Sequence, residues 1–502
     1  MELLNHLSMG FGVALSPVNL GYCFLGALLG TLVGVLPGLG PTATIAMLLP
    51  LTFSISPESA LIMLAGIYYG AQYGGSTTAI LVNLPGEASA AVTAIDGYQM
   101  ARQGRAGTAL SIAAIGSFVA GCIATLFVAL CAPLLLLLAR SFTPFEYFSL
   151  IVLGLVCSIA LARGSILKSL GMVFTGLALG CVGTDVYTGE SRFTMGVFEL
   201  SDGLSIVALS VGIFGITEIF RNLEPGRTDG PPGAVKEIGR LYPTAPEMRA
   251  ASMPILRGTM LGSILGVLPG GGALLSSFAS YAVEKKLSKT PERFGNGAIE
   301  GVAGPESANN AGAQTSFIPM LTLGIPSNAV MALMAGAMII QGIVPGPRVM
   351  VTHPELFWGI IVSMWIGNAM LVVLNLPLVG LWVKLLKIPY TILFPAIVGF
   401  CVIGTYTVNS TTFDLYILAA FAMVGYVLAR LDCEPAPLLL GFVLGPLLEE
   451  NFRRAMVLSR GDFSGFVAHP VSAGLLIAAG LLLAFMLLPH IRAQREDVFV
   501  ED

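Results

Sequence analysis

Residues 34–41 read "GVLPGLGP", and the first five letters return in the same order at residues 266–270. Proline removes a backbone donor and glycine admits turn geometry. Both stretches therefore predict a non-helical tip between two half-helices, at 37–41 in one case and 268–273 ("LPGGGA") in the other. The surroundings are strongly apolar, and in a bilayer irregular backbone is tolerated only where protein or a water-filled cavity covers it. The two tips are therefore expected to meet inside the molecule.

That a bilayer is the right setting follows from composition. The 502 residues are 55% hydrophobic and 11% charged, with a mean hydropathy of +0.85, against roughly 45–50% apolar and about 25% charged in soluble domains. Apolar windows of about 20 residues, the length that crosses a bilayer, recur from near residue 18 to residue 489. The chain is expected to be an all-α polytopic membrane protein, with the lipid bilayer as its environment, because lipid offers no partner to an open backbone. The net charge of −4 comes without a block of like charges, so no nucleic acid partner is expected. The seven cysteines form no CxxC pair and read as small buried hydrophobes. The N-terminus carries no Lys or Arg before its apolar run, unlike a cleavable signal peptide, and is expected to be retained.

Pro37 and Pro269 stand 232 positions apart, and so do the ExFR patterns at Glu218–Arg221 and Glu450–Arg453. "GAQ" at 70–72 and 312–314 gives 242, as if ten residues had entered the second half within the polar stretch "KKLSKTPERFGNG". Two homologous halves follow. Each holds a broken segment (18–53; 252–285), a second broken segment (58–84; 297–342), a long span (107–139; 355–386) and three further spans. Those are 144–163, 165–182 and 204–221 in the first half, and 389–406, 412–430 and 436–451 in the second. One extra C-terminal helix, 469–489, is left over. As domains this gives a first membrane repeat over 1–221, a cytoplasmic linker over 222–251, a second membrane repeat over 252–453, and the extra helix with its tail over 454–502.

Cationic loops mark the cytoplasmic side. The linker with its flanks, residues 221–257, carries Arg221, Arg227, Lys236, Arg240, Arg249 and Arg257. Arg102, Arg105, Arg163 and Lys168 fall at loops whose counterparts in the second half are poor in cations. Conversely, Lys285, Lys286, Lys289, Arg293, Lys384, Lys387 and Arg430 fall where the first half is nearly neutral. Opposite bias at equivalent loops predicts two inverted-topology repeats with re-entrant or broken helices, the N-terminus periplasmic and the C-terminus cytoplasmic. The exception is Arg453, Arg454 and Arg460, which this arrangement places outside.

Helix starts near Thr42 and Ala273 offer unpaired N–H groups and a partial positive charge, a setting for an anion, with Thr42, Thr44, Ser276 and Ser277 adding hydroxyls. A lone glycine-proline cluster is more often a plain turn; the duplication is what favours a site. The second broken segments, "YYGAQYGGSTTAILVNLPGEASA" (68–90) and "PESANNAGAQTSFIPMLTLGIPSNAV" (305–330), gather polar residues where each is costly. Helix–helix contact accounts for Gly74, Gly75 and Ala79. It does not account for Glu306 followed by Asn309, Asn310 and Gln314, whose oxygens suit a hard cation such as sodium, or a proton. No GxxxxGK[ST] loop, GxSxG elbow or HExxH pair is present, so enzymatic chemistry is not expected.

"GxLPGLGP", "YYGAQYGGSTTAILVNLPGE", "AIEGVAGPESANNA", "TLGIPSNAVMALMAGAMIIQG" and "PGP" resemble the large membrane subunit of bacterial tripartite tricarboxylate transporters, the TctA family. The resemblance runs over nearly the whole chain. It implies a secondary importer of the inner membrane, driven by a sodium or proton gradient. Its implied partners are a small TctB-type membrane subunit and a periplasmic TctC-type solute-binding protein, its substrates organic acids such as citrate and other carboxylates; a homo-oligomer is compatible with it. The family's glycine-proline motifs fall on Gly34, Pro37, Gly38 and Gly40, and on Gly266, Pro269, Gly270 and Gly272. The substrate-binding set expected from both lines is Gly38, Leu39, Gly40, Thr42, Gln72, Ser76, Thr77, Thr78, Gly270, Gly271, Gly272, Ser276, Ser316, Thr322 and Asn328. The cation-binding set is Glu306, Asn309, Asn310 and Gln314, and no other cofactor is expected. Alternating access, elevator-like, fits hairpin tips at the midplane. A passive anion channel is the rival reading, and a membrane scaffold leaves the polar segments without a purpose.

Overall fold

The computed structural model describes residues 2–36, 40–83, 85–139, 142–162, 165–185, 187–224, 238–268, 272–385 and 390–486. Pro37, Gly38, Leu39, Pro269, Gly270 and Gly271 lie outside the described residues, as do Arg163, Arg227, Lys236, Lys387 and the last three positions of the span 469–489.

Within the described residues the chain is almost wholly helical. The first half runs α1 (Glu2–Ala14), α2 (Pro17–Val35), α3 (Pro41–Leu48), α4 (Pro57–Val82), α5 (Ala91–Met100), α6 (Ala106–Ala139), α7 (Pro144–Leu161) and α8 (Ile166–Gly180). A two-residue hairpin (Gly183–Thr184 with Ser191–Arg192) then leads to α9 (Ile206–Ser210), a π-helical stretch (Val211–Ile216) and α10 (Thr217–Asn222). The second half runs α11 (Ala245–Leu265), α12 (Gly272–Leu287), α13 (Glu300–Thr315), α14 (Phe317–Leu323), α15 (Ala329–Ile340), α16 (Val349–Thr352) and α17 (Pro354–Asn375). It continues through α18 (Val379–Leu385), α19 (Tyr390–Asn409), α20 (Phe413–Arg430), α21 (Ala436–Leu458), α22 (Gly465–Ala468) and α23 (Pro470–Met486).

Proline opens many of these helices because its missing N–H is one that a first turn leaves unpaired anyway. It stands at Pro17, Pro57, Pro144 and Pro354, behind Ser16 and Ser56 caps in the first two. Among the described residues, four helical stretches are long and apolar enough to cross a membrane by length and composition: Pro17–Val35, Ala88–Cys131, Pro354–Asn375 and Phe413–Arg430. Shorter apolar helices, including α7, α8, α15 and α23, add to them. Large apolar side chains such as Phe174, Phe400, Met423 and Leu481 face outward, which in this setting is a lipid-facing surface.

Two expected spans differ, and one helix falls where no span was expected. Residues 58–84 were expected to be broken, yet α4 is continuous to Val82 and stops only at Asn83, which takes a left-handed conformation (φ 58°). The long span 355–386 divides into α17 and α18. The N-terminal stretch is a helix of its own, α1, whose His6 and Phe11 stack on Trp358 and Trp365 of α17.

Glycine stripes set the packing. A Cβ on Gly26, Gly30 or Gly34 of α2 would lie 2.2, 2.3 or 2.4 Å from the carbonyl oxygens of Met63, Ile67 or Ala71 on α4. The positions 232 later repeat the pattern: Gly258 and Gly262 of α11 meet the carbonyls of Gly304 and Ala308 on α13 at 2.2 and 2.3 Å, and Gly266 meets Gly312. Only glycine lets backbones come this close. In each pair both numbers rise together, so the two helices are parallel. The chain between them must therefore return to its starting side, making α2–α3 and α11–α12 hairpins.

Across the halves the direction reverses. Tyr68 and Tyr69 lie against Phe317 of α14, whereas Ser76 bonds Glu306 of α13; α4 is antiparallel to the stretch formed by α13 and α14. In contrast α6 runs parallel to α13 (Ser117 to Asn310, Thr125 to Gln314) and α17 parallel to α2 (Cys23 to Ser363, Thr31 to Asn375). The peripheral helices exchange reciprocally: α21 packs on α8 through Gly176 and Gly441, and α20 packs on α9–α10 through Gly212 and Gly425.

The polar stretch at 288–299 folds onto buried Asp96. Its Oδ1 accepts the backbone N–H groups of Gly295, Gly297 and Ala298 at 2.8–2.9 Å. Gly295 and Gly297 sit at φ +89° and +95°, a region side chains resist, so this anchor depends on them.

Candidate functional site

The starts of four helices border one cavity of about 320 Å³: Gly40–Thr42 at α3, Gly272–Leu274 at α12, Asn328–Val330 at α15 and Pro435–Ala436 at α21. Each such end carries roughly half a positive charge from its unpaired N–H groups. At α3 and α21 no side chain caps those groups; at α15 Asn328 Oδ1 accepts from Met331 N at 2.9 Å. The volume suits a small organic molecule. Among the described residues no Lys or Arg lines the cavity, while Tyr68, Gln72, Glu87 and Glu434 do.

Gln72 stands out. It is 0% exposed, and neither its Oε1 nor its Nε2 has a hydrogen-bond partner. Tyr68, whose hydroxyl lies near Ser316, Asn328 and Gln72 itself, is beside it. A buried amide with both ends unpaired is costly, and such a group on a cavity wall is suited to a ligand.

The expected substrate residues divide into groups. Gly40, Thr42, Gln72, Gly272 and Asn328 line this cavity. Ser76 and Thr77 instead line a separate void of about 10 Å³, the size of one water, shared with Tyr73, Ser117, Glu306 and Asn375. Thr78 donates to the carbonyls of Gly34 and Gly74, tying α4 to α2. Ser276, Ser316 and Thr322 donate to carbonyls of their own segments, at Gly272, Ala313 and Ile318, as Thr44 and Ser277 do at Gly40 and Ala273. Gly38, Leu39, Gly270 and Gly271 lie outside the described residues.

The expected cation residues do not converge on one point. Glu306 Oε1 accepts from Ser76 Oγ (2.6 Å), Asn310 Nδ2 (3.1 Å) and Ser117 Oγ (3.4 Å), and its Oε2 from Thr93 Oγ1 (2.8 Å). Gln314 Oε1 accepts from Thr125 Oγ1 at 2.5 Å, two turns further on. Asn309, on another face of α13, donates to Glu87 Oε1 at 2.9 Å. Among the described residues no three His, Cys, Asp or Glu side chains gather as a metal site.

Sequence reasoning passed over Glu87, Glu434, Tyr68, Thr93 and Ser117. Glu87 had a signal: an acid closing "VNLPGE", directly after a helix-stopping Asn-x-Pro in a polar stretch. Thr93 and Ser117 sit in ordinary helical sequence and had none.

The sequence profile of the Tripartite tricarboxylate transporter TctA family matches residues 20–440. A 52.8 kDa protein in the TAR-I ttuC′ 3′ region of Agrobacterium vitis is 63% identical over all 502 residues, covering the full length of both chains. A second Agrobacterium vitis protein, in the TAR-II ttuC′ 3′ region, is 66% identical over 241 residues, which are 48% of this chain and all of that one. No solved structure matches the chain.

Proposed function

The chain belongs to the tripartite tricarboxylate transporter TctA family, and on that premise we propose that it carries carboxylates inward through the four-helix cavity, coupled to a cation gradient, by alternating access. As a TctA chain it is the large membrane subunit of a tripartite transporter, it works with TctB and TctC partners, and it is not an enzyme.

The observation that carries the substrate reading is the convergence of four helix N-termini on one cavity with no Lys or Arg among its described lining residues. Backbone dipoles and amide groups attract a carboxylate there while leaving it easier to release than a salt bridge would. Gly38, Leu39, Gly270 and Gly271 complete the two tips in this reading. The polar face of α4 and α13 binds the coupling cation, sodium or a proton.

Alternating access follows if the halves are inverted repeats in the cell membrane. The opposed course of α4 and α13, the hairpins in each half and the reciprocal pairing of α8 with α21 and of α20 with α9–α10 support that relation. The tips and their partner helices then move as a carrier past α6, whose 34 residues exceed what a bilayer needs. The N-terminus faces the periplasm and the C-terminus the cytoplasm in this arrangement.

Counterflow in proteoliposomes holding the full three-subunit complex tests the reading, with labelled citrate, succinate and malate as probes. A carrier exchanges bound solute against its gradient, whereas leak without exchange overturns the proposal in favour of a passive channel. Gly40→Val is the companion variant. The nearest atom to a Cβ there is Gly86 O at 3.8 Å, so the protein folds while the added side chain obstructs the cavity and exchange falls.

A further inference from the structure

We propose that Glu87, Asn309 and Gln72 form a hard-cation site in the wall of the anion cavity, where the bound ion joins Glu87 to the carboxylate of the solute. This rests on the carboxylate reading above and names its coupling site.

The starting point is a contradiction in charge. Four positive helix ends frame a cavity for an anion, yet Glu87 stands in its wall. An anionic solute brought beside an ionised Glu87 is repelled, strongly so where water is scarce. A cation between the two carboxylates removes the repulsion and makes each ligand's binding depend on the other.

The oxygen atoms required are present and unclaimed. Glu87 Oε1 accepts from Ser89 Oγ at 2.6 Å and from Asn309 Nδ2 at 2.9 Å, while Oε2 accepts no hydrogen bond from the described residues. Asn309 Oδ1 and Gln72 Oε1 have no partner, and both residues are 0% exposed. The loop bearing Glu87 presses on α4 where Gly86 N donates to Gly75 O, and a Cβ on Gly75 would stand 3.3 Å from Glu87 Cγ. Gln72 lies three residues before Gly75, on the same face of the helix, so its amide and the Glu87 carboxylate reach the cavity together. A proton satisfies one acceptor; a hard cation satisfies several oxygens at once. Glu306 offers no such opening, because its two oxygens already take four donors.

The test is equilibrium binding of ²²Na⁺ to the purified membrane complex at pH 8, together with its thermal midpoint in NaCl against choline chloride at equal ionic strength. Wild type is expected to bind sodium and to gain stability from it. Glu87→Gln is expected to weaken sodium binding roughly tenfold or more, and Gly21→Ala, at a position with nothing within 4 Å, to keep the sodium response. Should Glu87→Gln fail to fold, Gln72→Leu, which removes a neutral ligand, is expected to weaken sodium binding as well. An unchanged sodium response in both Glu87→Gln and Gln72→Leu overturns the proposal, as does a wild type that ignores sodium and responds to pH alone. Sodium binding lost with Glu87 in a protein that exchanges no carboxylate keeps the ion site and defeats the transport reading instead.

Discussion

Ser76 on α4 donates its hydroxyl to Glu306 on α13 at 2.6 Å, joining two helices that run in opposite directions at the centre of the protein. Thr93, Ser117 and Asn310 donate to the same carboxylate, so four buried donors from four helices share one acceptor, which is backed by Gln72 O for Ser76 and by Ser117 Oγ and Glu306 O for Asn310. Glu306→Ala leaves all four without it and is expected to cost roughly 2–4 kcal/mol. Ser76→Ala, which removes one donor and strands nothing else, costs about 1 kcal/mol. Thermal melting of the solubilised complex measures both, and equal losses would show that the network does not act through Glu306.

Gly30 makes a similar distinction among glycines. A Cβ there would stand 2.3 Å from Ile67 O, and since the obstacle is backbone it cannot turn aside. Gly21, on the same helix, has nothing within 4 Å. Gly30→Ala is therefore expected to separate α2 from α4 and abolish the folded, monodisperse species. Gly21→Ala is expected to be neutral or to stabilise by up to about 1 kcal/mol, the difference in helix propensity. Size-exclusion profiles and melting midpoints of the two variants decide the matter.

Glu247 gives the fold a dependence on acid. It begins α11 as half of a capping box: the Thr244 N–H donates to its Oε2 at 2.8 Å, the Thr244 hydroxyl does likewise, and Arg105 and Arg240 pair with it. Chiefly through the Thr244 backbone bond, against some cost of desolvation, its carboxyl titrates at about 2 instead of 4.5. A group with a lowered folded value stabilises fully above its unfolded value and ceases to do so as pH falls through the folded one. The stability difference between wild type and Glu247→Gln is thus expected to be constant from neutral pH down to about 5 and to shrink between 4.5 and 2. Melting curves against pH test this, and a difference that grows on acidification would contradict the assignment.

What the sequence made legible was punctuation. Pro37 to Pro41 and the glycines at 270–272 located two helix starts, and α3 and α12 begin at Pro41 and Gly272. Glycine serves both for turns and for close approach, and at Gly74 it serves the close approach expected of it: α4 stays helical there because Gly74 packs on Thr31. Composition also revealed that α13 is rich in amides without revealing which face each occupies. Asn309 turns to Glu87, Asn310 to Ser117 and Gln314 to Thr125, so residues adjacent in sequence serve three separate contacts. Partners contributed from distant helices, such as Thr93 for Glu306, carry no local mark.

Gln72 separates stability from function most cleanly. Its carboxamide is fully buried with neither end paired, so the fold gains nothing from its polarity. Replacing it with an apolar side chain of similar length removes two unsatisfied groups, each costing roughly 1–3 kcal/mol. Gln72→Leu is therefore expected to raise the melting midpoint in choline chloride, where no sodium is bound. If the amide faces the solute and its ion, the same variant is expected to exchange citrate, succinate or malate more slowly than wild type. A gain in stability joined to a loss of exchange is the mark of a residue kept for binding at the expense of the fold. A loss of both would mean that Gln72 supports the packing of α4, and an unchanged exchange rate would remove it from the cavity's working surface.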